Sequence, residues 1–220
     1  MELSKPVYLA IIAGMGLCWT ITYILIINRS FKDKTCGMPF IALAFNMSWE
    51  FIYSFVFTPA HFTFQRIINI TWFLFDVLIF ITYLLYAQKD WKTSVYRVWF
   101  WPNLIFTLVA SYLMLYYFHL DFGKGAITYS GYLDNVIMSG LFISMFLKRN
   151  SLNGQSLGIA FFKMMGTLCA TIILFNGFNQ FLRLLGIICF VLDLGYLVLL
   201  SNVYKANRLN FITRKALVKI

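Results

Sequence analysis

At 220 residues, with 61% hydrophobic and only 12% charged side chains, the chain is far more apolar than a water-soluble domain, in which roughly a quarter of residues are charged. A net charge of +10 raises a nucleic-acid reading, but the cations fall between apolar runs, where membrane topology accounts for them, so no nucleic-acid partner is implied. The expected fold is all-α, a polytopic bundle in a bilayer, because a spanning segment must satisfy its own backbone polar groups and does so as a helix of roughly 20 apolar residues.

Seven such helices are predicted, near residues 8–27, 39–58, 68–87, 98–119, 129–147, 156–176 and 182–204. The first is too long for a signal-peptide core and has no small-x-small site before Asn28-Arg29, so it reads as a retained helix. The second carries Asn46-Met-Ser-Trp-Glu-Phe-Ile-Tyr53, which puts Asn46 and Tyr53 a turn to either side of Glu50 on one α-helical face. The third holds Asp76 between Trp72 and Phe80, one turn away in each direction. Turn residues around Asp121-Phe-Gly-Lys-Gly-Ala-Ile-Thr separate the fourth helix from the fifth and sit where they would cover a pocket mouth. The fifth contains Asp134-Asn135, the sixth Lys163, and the seventh Asp193 flanked by Cys189 and Tyr196.

Pro6, Pro39, Pro59 and Pro102 all fall at predicted helix ends, where a missing N–H costs least. Residues 1–204 form the transmembrane domain. Residues 205–220 form a basic tail whose cations mix with Leu209, Phe211, Ile212, Leu217 and Ile220, as in an interfacial helix on anionic headgroups. Cys18, Cys169 and Cys189 lie in spans and Cys36 in a connection, a pattern of neither disulfides nor metal ligation.

Orientation follows from Lys and Arg: 13 lie on the side of the 29–34, 89–97, 148–149 and C-terminal connections, against 4 (Lys5, Arg66, Lys124, Arg183) on the other. Positive connections stay cytoplasmic, so the N-terminus is expected outside or in a lumen and the C-terminus in the cytoplasm. The compartment is a bacterial inner membrane or the endoplasmic reticulum.

Of eight acids, Glu50, Asp76, Asp134 and Asp193 fall inside apolar spans. A charge at a bilayer centre costs at least roughly 2.5–3.5 kcal/mol, so all four are expected to face the bundle interior, at depths that let them meet in one chamber. One intramembrane cation, Lys163, cannot balance four carboxylates, so some must carry protons and can donate them. A second reading has the acids pair with Lys163, Asn135 or tyrosines as interhelical glue, with Asp76 and Asp134 the main candidates for it. Aromatic residues make up 20% of the chain. Most are core or interfacial, but rings beside acids suit one chemistry well, because their faces stabilise a carbocation generated by protonation. That chemistry calls for no cofactor.

Other chemistries lack their signatures. His61 and His119 lie near helix ends, there is no GxGxxG or P-loop, and no Asp-rich cluster suited to Mg²⁺ and a diphosphate. The seventh helix has no lysine for a retinal Schiff base.

Asn46-x-Ser-Trp-Glu50-Phe-x-Tyr53, Trp72-Phe-x-x-Asp76, Tyr132-x-x-Asn135-x-x-Met-Ser139 with Lys148-Arg149 and Gly154-x-Ser156, and Gly186-Ile-Ile-Cys-Phe-x-x-Asp193 together resemble the small integral membrane terpene cyclases of fungal meroterpenoid and indole-diterpene pathways and their bacterial relatives. The resemblance implies protonation of a terminal epoxide or alkene on a prenylated substrate, cation cyclisation and proton loss, with Glu50 and Asp193 as the essential pair. Asn46, Tyr53, Asp76, Asp134, Asn135, Lys163 and Tyr196 are then supporting polar groups, and Trp49, Trp72 and Phe80, together with Tyr53 and Tyr196, candidates to line the cation's path. The alternative is a small sugar or proton-coupled carrier, although internal repeats and broken helices, the usual marks of carriers, are missing. A receptor or assembly factor has no specific feature in its support. If the charge bias sets topology, a phosphatase reporter fused after Ile220 is expected to be inactive and a fluorescent one bright; the reverse pattern overturns the orientation.

Overall fold

The computed structural model describes residues 3–58, 63–90, 97–175, 177 and 179–217. Pro59, His61, Lys92, Lys219 and Ile220 lie outside the described residues. Seven α-helices have their bounds among them: α1 (Lys5–Asp33), α2 (Phe40–Phe51), α3 (Phe64–Tyr86), α4 (Phe100–Phe122), α5 (Ala126–Arg149), α6 (Leu157–Leu174) and α7 (Gln180–Leu217). Each predicted segment corresponds to one of them. Five segments are long and apolar enough to cross a membrane: α1, α3 with its short extension to Lys89, the continuous stretch Phe100–Arg149, α6, and Gln180–Ala206 of α7. Phe100–Arg149 contains both α4 and α5, joined by a 3₁₀ turn at Gly123–Gly125, and Phe40–Val56 is a shorter apolar helix.

Local chemistry sets the helix ends. Pro6 sits in the first turn of α1, where its missing N–H leaves no bond unmade. Thr63 caps α3 by accepting from the Arg66 N–H, and Ser156 caps α6 by accepting from the Ile159 N–H. α1 and α5 close on left-handed residues, Lys34 and Asn150. At Gly154, φ is +74° and the N–H donates to Asp33 Oδ2 at 2.7 Å, tying the α5–α6 connection to the end of α1.

α2 ends differently from the sequence expectation. From Ile52 to Val56 the backbone widens into a π-turn, closed by the Phe57 N–H bonding the Ile52 carbonyl five residues back at 2.9 Å. The Arg66 guanidinium donates to the Ser54 carbonyl at 2.8 Å, occupying an acceptor of that turn from the start of α3.

Helix neighbours form a closed ring in the order α1, α3, α2, α5, α7, α6 and back to α1, with α4 packed outside it on α2 and α5. The ring encloses the main core, where Tyr23, Leu43, Ile79, Phe142, Ile159, Tyr196 and Leu200 are buried. α4 turns Ile105, Phe106, Val109, Met114 and Tyr117 outward, an apolar face suited to lipid. The α1–α6 contact is close because Gly166 lacks a side chain: a Cβ there would lie 2.8 Å from Trp19 Cδ1. Gly166→Ala should therefore force Trp19 to move and destabilise the bundle by about 1–3 kcal/mol, read as a lower unfolding midpoint in detergent; an unchanged midpoint contradicts this packing.

Candidate active site

Within the ring lies a cavity of about 310 Å³, at the lower end of ligand-pocket sizes. Trp19 and Tyr23 come from α1, Asn46, Trp49 and Glu50 from α2, Gln65 and Trp72 from α3, and Gly131, Tyr132, Asp134 and Asn135 from α5. Gln65 and Thr128 belong to the first turns of α3 and α5, and Ala170 to the last turns of α6, so the chamber lies toward the end opposite the basic connections.

α2 supplies the acid. Asn46, Trp49 and Glu50 follow the i, i+3, i+4 spacing of one helical face, so all three reach the chamber. Glu50 is 2% exposed, and its Oε2 has no hydrogen-bond partner among the described residues. Asn46 Nδ2 donates to Asp76 Oδ2 at 2.7 Å and to the Tyr23 hydroxyl at 2.5 Å, joining α1, α2 and α3. Asp76 is fully buried behind Asn46, with its Oδ1 unpartnered. Glu50, Asp76 and Asp134 are close enough to feel one another's charge.

Indole N–H bonds fix the aromatic walls. Trp49 Nε1 donates to Ser130 Oγ at 3.0 Å, and Trp72 Nε1 to Thr20 Oγ1 at 3.1 Å. Trp72 also stacks with Tyr23, centroids 6.1 Å apart. Gly131 leaves room for Trp49, whose Cζ2 would be 3.4 Å from a Cβ there. Each N–H is thus engaged on a neighbouring helix, and both rings line the chamber.

Beneath the chamber lies a buried ion pair. Lys163 Nζ donates to Asp193 Oδ1 and to Ser139 Oγ, each at 2.6 Å, and to Asn135 Oδ1 at 3.5 Å. Asn135 Nδ2 reaches Thr167 Oγ1 at 3.4 Å. The ammonium also lies 5.6 Å from the Trp19 ring centroid and 5.8 Å from that of Phe142.

The structure therefore separates the predicted site residues. Asn46, Trp49, Glu50, Trp72, Asp134 and Asn135 line the cavity. Asp193 does not, and connects to it through Lys163 and Asn135. Tyr53, within the π-turn, does not line the cavity and packs against Trp49 and His119, centroids 4.9 and 5.6 Å away. The Tyr196 hydroxyl donates to Gln155 Oε1 at 2.9 Å, away from the chamber, and Phe80 packs against the main core. Trp19, Tyr23, Gln65 and Tyr132 line the cavity without having been singled out. Trp19 and Tyr23 share a face of α1 at i, i+4, but that helix has no mid-span acid to draw attention to it. Among the described residues, no group of three or more His, Cys, Asp or Glu is placed to hold a metal ion.

A family model for Pyr4-like transmembrane terpene cyclases matches residues 3–206. The chain belongs to this family. It is 28% identical over 178 residues to the Pyr4-family terpene cyclase mfmH of Annulohypoxylon moriforme, covering 77% of this chain and 73% of that protein. It is 26% identical over 205 residues to terpene cyclase pyr4 of Aspergillus fumigatus, covering 86% and 84%, and 30% identical over 159 residues to asnovolin H synthase nvfL of Aspergillus novofumigatus, covering 69% and 63%. No solved structure matches. The chain is thus an integral membrane protein of a terpene-cyclase family, and the carrier alternative draws no support.

The ion pair makes a stability prediction. Asp193→Asn leaves the Lys163 ammonium buried without its counter-charge and should cost about 3–5 kcal/mol, whereas Asp193→Asn with Lys163→Met should recover much of that loss. Chemical unfolding in detergent reads both, and equal destabilisation by the single and double variants contradicts the pairing.

Proposed function

We propose that the chain is a metal-independent cyclase that starts catalysis by proton transfer from Glu50 to the terminal epoxide or alkene of a prenylated substrate. The observation that carries this reading is a buried carboxyl group in an aromatic-walled chamber with no cation paired to it among the described residues. Lys163, beneath the chamber, is engaged by Asp193, and the charged neighbours of Glu50 are acids, so charge balance favours a proton on Glu50.

The proposed steps draw on that arrangement. Glu50 transfers its proton to the epoxide oxygen, or to an alkene carbon, as the cation forms. Trp49 and Trp72, which line the cavity, stabilise that charge and the cations that follow as new C–C bonds form. Water is kept from the indole N–H groups, which are engaged elsewhere. Asp193 acts on the chamber as a positioning residue: by neutralising Lys163 it keeps a bare ammonium from facing the developing cation, and it fixes Asn135 through the same network.

The reading includes seven membrane crossings, an N-terminus outside or in the lumen, and the basic tail on the cytoplasmic headgroups. The fungal sources of the relatives favour the endoplasmic reticulum over a bacterial membrane. With microsomes and a prenylated phenol bearing either a terminal epoxide or an alkene, Glu50→Gln is expected to lower turnover at least about 10²-fold while eluting like wild type from a sizing column. Wild-type turnover in that variant sinks the assignment.

A further inference from the structure

A cyclisation that begins with a proton gained ends with a proton lost, and the bases held closest to the last cation are those on the chamber wall. Glu50 has given up its proton by then. Of the other buried acids, Asp193 lies outside the cavity on Lys163, and Asp76 lies behind Asn46. Tyr132, Gln65 and Asn46 also face the cavity but are weak bases.

Asp134 is left. It lines the cavity from α5 while Glu50 lines it from α2; it is 4% exposed, and its Oδ1 has no partner. We infer that Asp134 is the second catalytic residue of the chamber, the carboxylate that takes the proton ending the cyclisation. This rests on the reading of Glu50 above.

The surroundings of the two acids fit opposite roles. Glu50 has other acids, Asp76 and Asp134, as its charged neighbours. Asp134 has Glu50 and Asp76 within range too, and it is the one of the three that also feels Lys163, which its sequence neighbour Asn135 contacts directly. Acids this close do not all ionise together, and a proton kept on Glu50 with the negative charge on Asp134 is the division these neighbours favour, two carboxyl groups given different tasks by their environments.

The step balances without a co-reactant. Glu50 loses its proton as an O–H bond forms and an epoxide C–O bond breaks, or as a C–H bond forms from an alkene π pair; each new C–C bond then uses the π pair of a further alkene and moves the cation along. At the end a C–H bond next to the last cationic carbon breaks, its electron pair becomes the new alkene, and the proton goes to Asp134 Oδ1. Return of that proton to Glu50 after release resets the chamber, and the overall reaction is an isomerisation.

The test is Asp134→Asn, which keeps size and polarity but removes the base, assayed on whichever of the epoxide or alkene forms of a prenylated phenol the wild type turns over. Substrate consumption is expected within about tenfold of wild type, while the wild-type product falls at least about tenfold and double-bond isomers or a water-captured alcohol replace it. A role confined to packing would lower all products together. An unchanged product profile, or complete loss of substrate consumption in a variant that elutes like wild type, overturns the assignment. If Asp134→Asn does not fold, Asp134→Glu is read in its place: moving the carboxylate by one methylene changes the isomer ratio if Asp134 is the base, and an unchanged ratio overturns it. Glu50→Gln run alongside separates the two claims. Activity in Glu50→Gln removes the initiation reading, whereas an inert Glu50→Gln beside an unchanged Asp134→Asn removes only the base.

Discussion

The pairing of Lys163 with Asp193 governs the rest of the site. A single ammonium inside an apolar bundle needs a counter-charge, and the nearest carboxylate supplies it at 2.6 Å with Ser139 completing the shell. Among the described residues, no cation is then ion-paired with the acids nearer the chamber. Had Lys163 pointed upward to Glu50 or Asp134, the chamber would hold a salt bridge, a poor proton donor and a poor lining for a carbocation. The cation–π contacts to Trp19 and Phe142 help keep the ammonium beneath the chamber.

Much of the fold was legible because the bilayer imposes one simple rule, and long apolar runs separated by cationic gaps obey it. Each predicted segment corresponds to one helix in the structure. The departures sit where the helix period is locally broken. Tyr53, expected on Glu50's face from a 3.6-residue period, belongs to the π-turn from Ile52 and packs on Trp49 and His119 without lining the cavity. A π-turn has no sharp residue signature, and the Arg66 contact that occupies its Ser54 carbonyl comes from another helix, so neither was visible along the chain.

The candidate site was legible in part for a related reason. A carboxyl in an apolar run is conspicuous, and Glu50 and Asp134 both face the chamber. Helical depth alone does not say which acids share a space and which share a cation, because that depends on rotation about each helix axis. Asp193 was grouped with Glu50 for this reason, although it faces Lys163. Trp19 and Tyr23 escaped notice because an aromatic in a spanning helix is ordinary until its neighbours are known.

The indole anchors have a consequence for how such an enzyme diversifies. The indole N–H groups of Trp49 and Trp72 are held by Ser130 and Thr20. Neither hydroxyl residue lines the cavity, yet each sets the angle of a ring that does. Exchanging one of these hydroxyls for a methyl would free a ring to tilt and leave Glu50 and Asp134 in place. The shape of the chamber and the placement of its carboxyl groups can thus change independently of each other.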